Sequence, residues 1–310
     1  MHWKLKGIVQ KVLGVLPGGH AIHYALQRRF GGLGNFASEF DSKIEDWHIM
    51  VLHLRAAGMP VTGRHLFEVG TGWYPTFPLA LALAGARRVT TVDLNRHLKP
   101  ELLRACIERL GSAVAIIAAA TDTDPTTVRE RHARLLERAS HTLDLGALSD
   151  GVIAYHAPTD ATRSGLADAS VDTMFSNSVL EHVPPDVIDS LYAEGMRVLV
   201  PGGVMFHSVN CGDHYAYVDH SIDQLHYLRY SDTEWKRWNN AFLYQNRLRA
   251  HAFVERARAA GFAIELDTAK ASERRLRELA ATPVHAQFRS IPAERLCITS
   301  VDFIARKPRT

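Results

Sequence analysis

The residue types best suited to chemistry in this 310-residue chain fall in two short runs. Residues 66–72 read Leu-Phe-Glu-Val-Gly-Thr-Gly, and residues 89–93 read Val-Thr-Thr-Val-Asp. Leu66, Phe67 and Val69 suit a buried strand. Gly70 and Gly72 let the backbone turn tightly and approach a ligand with no side chain in the way. A helix is predicted from near Pro78 through Leu83, with a stop at Gly85. An acid at the tip of a second strand, here Asp93, is placed to grip a ribose diol. Glu68, Gly70, Thr71, Gly72, Asp93 and Leu94 are therefore the candidate contacts for a nucleoside-bearing cofactor.

The residues after the glycines narrow the choice of cofactor. A dinucleotide fingerprint needs a third glycine, to pack helix on strand and leave room for pyrophosphate. Here Trp73, Tyr74 and Pro75 follow Gly72. Glu68 would repel phosphates but suits a cationic amino group. S-adenosylmethionine offers a ribose, a sulfonium and an amino-acid tail, with no phosphate. With this acid-x-Gly-x-Gly motif the sequence resembles the class I S-adenosylmethionine-dependent methyltransferases.

Further motifs follow in the family's order. Thr159-Asp160-Ala161 precedes the strand-like run Val171-Asp172-Thr173-Met174-Phe175-Ser176-Asn177 and then Ser178-Val179-Leu180-Glu181-His182-Val183. The resemblance implies that Asp160 and Ala161 lie against the adenine, and that Asn177 and Ser178 close the cofactor site. Pro184-Pro185-Asp186 opens a predicted helix, since proline is tolerated in the first turn. Val187, Ile188, Leu191 and Val198 give that helix one apolar face. Pro201-Gly202-Gly203 is predicted to close it before a strand at Val204-Met205-Phe206. The resemblance covers roughly residues 60–210. It implies an α/β fold: a seven-stranded, Rossmann-like, doubly wound sheet with an antiparallel last strand, N-terminal helices and a lid insertion after strand five.

Acceptor chemistry is expected outside this common core. Residues 207–249 alternate polar and aromatic side chains after strand five, at the carboxyl edge of the sheet where ligands sit. The 229–249 stretch is similar to a subgroup of bacterial methyltransferases met in sugar and cell-surface pathways. A hydroxyl acceptor benefits from a base, and histidine titrates in the useful range. His182, after the fourth strand, and His214 and His220, in the predicted lid beside Asp213 and Asp219, are the candidates. A lid histidine is preferred, because relatives carry a residue like His182 whatever their substrate. No acidic cluster suited to a metal is legible, so no metal is predicted.

The predicted organisation is one domain: a helical cap over 1–60, a cofactor core over 61–206, a lid over 207–250 and closing strands over 251–310. Residues 40–58, 95–110, 125–140 and 232–260 are predicted helical, with strands near 262–265 and 298–304. Hydrophobic content of 46% supports a full core, and the net charge of +3 calls for no polyanionic partner. A small-molecule acceptor is therefore expected and nucleic acid is not. The three cysteines are scattered singly, which suggests neither disulfides nor a metal site and makes the cytoplasm the default. Lys4, Lys6 and Lys11 alternate with apolar residues, and a helix over the cleft is preferred to a membrane-surface helix. Oligomeric state is left open, a homodimer included. The rivals are a nicotinamide-dependent oxidoreductase, which the missing third glycine opposes, and a non-catalytic S-adenosylmethionine-binding protein, which the intact motif opposes. N- and S-methyl transfer stand beside O-methyl transfer as alternatives.

Overall fold

The computed structural model describes residues 1–31 and 34–309. Its strands are β1 (His65–Val69), β2 (Arg88–Val92), β3 (Ile153–His156), β4 (Val171–Asn177), β5 (Leu199–Asn210), β6 (Ala263–Asp267) and β7 (Ser300–Arg306). They form one sheet in the order β3-β2-β1-β4-β5-β7-β6. β1 to β5 pair in parallel, and β7 runs antiparallel to both β5 and β6. The chain reverses its winding at β1, and β4 is added on the other side. That places a crevice at the carboxyl ends of β1 and β4.

Helices cover both faces. In chain order they are α1 (Trp3–Val15), α2 (Gly19–Phe30), α3 (Phe36–Ala56), α4 (Thr76–Leu83), α5 (Pro100–Arg109), α6 (Val114–Thr121), α7 (Pro125–Ala139) and α8 (Leu145–Leu148). After β4 come α9 (Pro185–Val198), α10 (Asp232–Trp235), α11 (Ala250–Ala259), α12 (Glu273–Ala281) and α13 (Ala293–Leu296). The pleat sorts the core in two. Leu66, Phe175, Phe206 and Ile304 meet α3 to α7 on one face. Phe67, Met174, Met205 and Phe303, each one residue away, meet α9 and α11 on the other. Strands buried on both faces need apolar side chains in both registers, which explains the unbroken runs in the sequence.

Several predicted boundaries move. The helix expected across 232–260 is two helices, α10 and α11, joined by an irregular segment with an isolated Asn240–Leu243 bridge. Asn240 Oδ1 accepts from the backbone N–H groups of Phe242 and Leu243, and Asn239 Oδ1 from that of Gln245, so side chains take over the bonds a helix would use. The glycine pair at 202–203 lies inside β5, which starts at Leu199. Gly202, at φ +78°, bends the strand where its N–H donates to the Lys307 carbonyl and the Lys307 N–H donates to the Gly203 carbonyl. β3 and α12 were not foreseen. Ile-Ala-Tyr-His is too short and mixed to show a period of two.

The segment between β5 and α11 is packed as a second small core. Tyr215, Leu225, Tyr227, Leu228 and Trp235 are buried there. α1 docks onto it through Trp3, whose ring meets those of His226 and Trp238 edge-on at 4.9 and 4.6 Å. The backbone N–H of Trp3 also donates to Asp219 Oδ2 at 2.9 Å. Among the described residues, no helix is long and apolar enough to cross a membrane.

Candidate active site

The chain leaves β1 through two left-handed glycines, Gly70 at φ +89° and Gly72 at φ +67°. The first is sterically obligatory, because a Cβ there would sit 2.4 Å from Cγ2 of Val179. The turn is tied to β2: Gly70 N–H donates to the Val92 carbonyl at 2.8 Å, and Gly72 N–H donates to Asp93 Oδ2 at 2.8 Å. Ser178, just past β4, is also left-handed at φ +54°. Such strained backbone is concentrated where a ligand must be approached closely.

Around this turn opens a cleft of about 860 Å³. Gly70, Thr71, Gly72, Asp93, Leu94, Asp160, Ala161, Asn177 and Ser178 all line it, so nine of the ten predicted cofactor contacts share one cavity. The tenth, Glu68, is buried beneath the glycine turn. It accepts a hydrogen bond from Thr91, whose hydroxyl also lies 2.5 Å from that of Thr71. Burial pushes the Glu68 carboxyl up to about 8, against the hydrogen bond from Thr91 and the charge of Lys43, which both lower it. Asp160 caps the next turn by accepting from Thr162 N–H at 2.9 Å.

The donor set fits S-adenosylmethionine. Asp93 keeps acceptor capacity beyond its two backbone bonds, for a pair of ribose hydroxyls. Gly72 has no protein atom within 4 Å of where its Cβ would be. A buried carboxyl under the turn suits an ammonium group and opposes phosphate.

The opposite end of the cleft is built by the N-terminal helices and by the turn after β4. His23 and Gln27 on α2, Lys43 on α3, and His182, Val183, Pro184, Val187 and Phe242 line it. α3 is joined to β4 by Asp46, which accepts from the Asn177 amide at 2.9 Å. The contribution of α3, and Lys43 in particular, had no signal in the sequence, since Lys43 is one of six charged residues on that helix.

Two of the three candidate bases lie together and the third lies apart. His182 lines the cleft, and its Nδ1 lies 2.6 Å from the Tyr244 carbonyl. Burial holds its pKa below the usual histidine range. His214 lies behind it with ring centroids 4.8 Å apart, and burial, followed by the charges of His182 and Lys6, lowers it to about 3. His220 is exposed and away from the cleft lining. The carboxylates beside the lid histidines serve other partners: Asp213 accepts from Tyr215 N–H and lies 2.9 Å from His226 Nδ1, and Asp219 takes Trp3 and Ser221.

Residues 120–207 match the family model described as a methyltransferase domain. The match spans β3, β4 and most of β5 and takes in Asp160, Asn177, Ser178 and His182 of the cleft, while the glycine turn and Asp93 lie before it. That segment is thus a match to a methyltransferase domain, and the sheet order is in keeping with the class I S-adenosylmethionine-dependent methyltransferases. No curated protein sequence matches it. Among solved structures, the methyltransferase is similar to an S-adenosylmethionine-dependent methyltransferase from Mesorhizobium loti, at 19% identity and TM-score 0.44, over 82% of this chain and 96% of the other. It is similar to a methyltransferase from Methanosarcina mazei at 17% identity and TM-score 0.41, over 80% and 93% of the two chains. It is also similar to geranyl diphosphate C-methyltransferase from Streptomyces coelicolor A3(2), at 12% identity and TM-score 0.42, over 79% and 72%. The protein is a methyltransferase enzyme, and S-adenosylmethionine is its cofactor.

Proposed function

We propose that this methyltransferase acts on a hydroxyl group of a small metabolite or sugar-type molecule. The observation that carries the reading is His182, in the cleft wall, with Nδ1 held against the Tyr244 carbonyl. That bond places the ring proton on Nδ1 and leaves Nε2 as a lone pair. Its lowered pKa keeps the ring neutral near pH 7, the state a base requires.

When bound, S-adenosylmethionine supplies an electrophilic methyl group, whose carbon bonds to the acceptor oxygen as the C–S electron pair leaves with sulfur. The chain supplies alignment and exclusion of water. Gly70 and Gly72 would admit the amino-acid tail, Asp93 would hold the ribose and Asp160 would face the adenine. The acceptor would lie between His182 and the apolar wall of Val183, Val187 and Phe242, and its proton would leave toward His182. A cleft of about 860 Å³ suits a small acceptor rather than a polymer groove, and the small net charge of +3 supports the same reading. Cys106, Cys211 and Cys297 are free and buried, which is in keeping with a reducing cytoplasm.

The test is a panel of sugars, phenols, amines and thiols incubated with the enzyme and methyl-labelled cofactor, read by mass spectrometry. O-methyl products that fall about 100-fold or more in rate in His182→Gln support the reading. Products methylated only on nitrogen or sulfur would overturn it.

A further inference from the structure

Behind the acceptor wall three potential ligands converge. Glu181 and His182 lie on the turn after β4, and His214 lies on the turn after β5. Their ligand atoms, one from each side chain, all lie within 4.8 Å of one another. Two of these groups carry orphaned atoms: Glu181 Oε2 and His214 Nε2 are buried with no hydrogen-bond partner among the described residues. Glu181 is 2% exposed, so its unmet oxygen has no access to bulk water. Buried polar atoms are nearly always satisfied, and two orphans within one such cluster call for a ligand there.

We propose that Glu181, His182 and His214 form a binding site for a divalent transition-metal ion at the acceptor end of the cleft. Two imidazoles and one carboxylate suit zinc, iron(II) or manganese(II) better than magnesium or calcium, which prefer oxygen-only shells. Donors in a tetrahedral shell lie about 3.3 Å apart, given metal–nitrogen bonds of about 2.0–2.1 Å. The cluster therefore closes with side-chain rotations that move its donor atoms by up to about 1.5 Å in all.

The surroundings are those of a prepared site. The His182 Nδ1–H bond to Tyr244 fixes the tautomer whose Nε2 is free, the outer-shell arrangement typical of metal-binding histidines. Asn246 braces the first turn, donating from its amide to the carbonyls of Leu180 and Val183, and from its backbone N–H to that of Glu181. Gln245 braces the second, accepting from His214 N–H at 3.0 Å and donating to the Gly212 carbonyl at 2.8 Å. Lys43 and Lys6 oppose a cation here, and the carboxylate of Glu181 must outweigh them.

His182 lines the cleft, so an open position on the ion would face the acceptor. There the ion takes the acceptor hydroxyl as a ligand and favours loss of its proton to solvent. This route belongs to the metal-loaded protein; direct proton transfer to His182 belongs to the metal-free protein, in which Nε2 is free. The role rests on the hydroxyl reading above; the binding site does not.

The test uses the full chain, treated with chelator and then titrated with Zn2+ by calorimetry and with Co2+ by visible absorption. One equivalent bound, with a cobalt spectrum that indicates nitrogen ligation, is expected. Glu181→Gln and His214→Ala should each weaken binding at least tenfold, while His141→Ala, an exposed histidine outside the site, should not. S-adenosylhomocysteine binding by each variant shows that it has folded, and the wild-type cobalt spectrum stands if one has not. Absence of binding, or equal binding by all variants, overturns the site. O-methyl transfer at full rate after chelation overturns the role. A metal-binding enzyme that methylates only amines or thiols overturns the hydroxyl reading and leaves the site standing.

Discussion

Asp93 Oδ2 accepts the backbone N–H of Gly72 at 2.8 Å, so the acid at the tip of β2 directly fastens the glycine turn at the tip of β1. The two halves of the cofactor motif are thus one hydrogen-bonded unit, and the carboxylate that orders the turn is the one placed to take the ribose.

Asp93→Ala should therefore weaken S-adenosylhomocysteine binding by about 1.5–3 kcal/mol, the range for hydrogen bonds to a charged group, or roughly 10- to 150-fold. Calorimetry checks this. An unchanged affinity would remove Asp93 from the site.

Gly70→Ala should be costly on two counts, a left-handed φ of +89° and a Cβ 2.4 Å from Val179. A loss of about 2–4 kcal/mol in denaturant unfolding is expected. Pairing it with Val179→Ala should recover the steric part and leave the backbone part. If the double variant shows no recovery, the Val179 contact is not what holds Gly70 in place.

Glu68 gives the apo protein a pH dependence. Its folded-state pKa is raised from an ordinary 4.5 to about 8, chiefly by burial. Its contribution to stability is thus fully present below about 4.5 and is lost as pH rises through about 8. Lys43 and Thr91 moderate the shift, and Asp93 adds to it. Glu68→Gln should accordingly gain melting temperature relative to wild type between pH 6 and pH 9, by a few degrees. Glu181 is common to both proteins and cancels. Parallel melting curves would show that the Glu68 carboxyl is already ionised. A cationic ligand group beside Glu68 favours the ionised form, so cofactor should bind the wild type with proton release and the variant without it.

Arg249 is buried with no carboxylate partner among the described residues. It donates to the carbonyls of Cys211 and Ile298 and to the Tyr227 hydroxyl, which joins the segment after β5 to the strand region before β7. Arg249→Met should orphan those oxygens and cost about 3 kcal/mol or more. It should also raise hydrogen exchange across residues 211–249. The same segment is expected to gain protection when cofactor and acceptor bind together, through closure. If exchange there is equally slow in all states, the segment is part of the fixed core.

Much of the fold and of the candidate site was legible in the sequence, for a local reason. A strand, a glycine turn and an acid are specified by residues a few positions apart, and a parallel sheet leaves few ways to arrange the rest. Glu68, Gly70, Gly72 and Asp93 therefore meet as their types suggested, and the antiparallel end of the sheet follows from the family order. The acceptor wall is of another kind. The neighbours Asp213 and His214 look like a pair in the sequence, yet their side chains diverge, one to His226 and the other to the ring of His182. His182 gains its fixed tautomer from a carbonyl in a segment whose helix is broken by Asn239 and Asn240. Lys43 reaches the cleft because α3 crosses the ends of the strands. These contacts join elements far apart in the chain. They depend on how the segment after β5 folds back over the sheet, which no local spacing encodes. The sequence by itself determined what the cofactor end of the cleft must hold; only the tertiary structure decided which side chains face the acceptor, because packing between distant segments sets their directions.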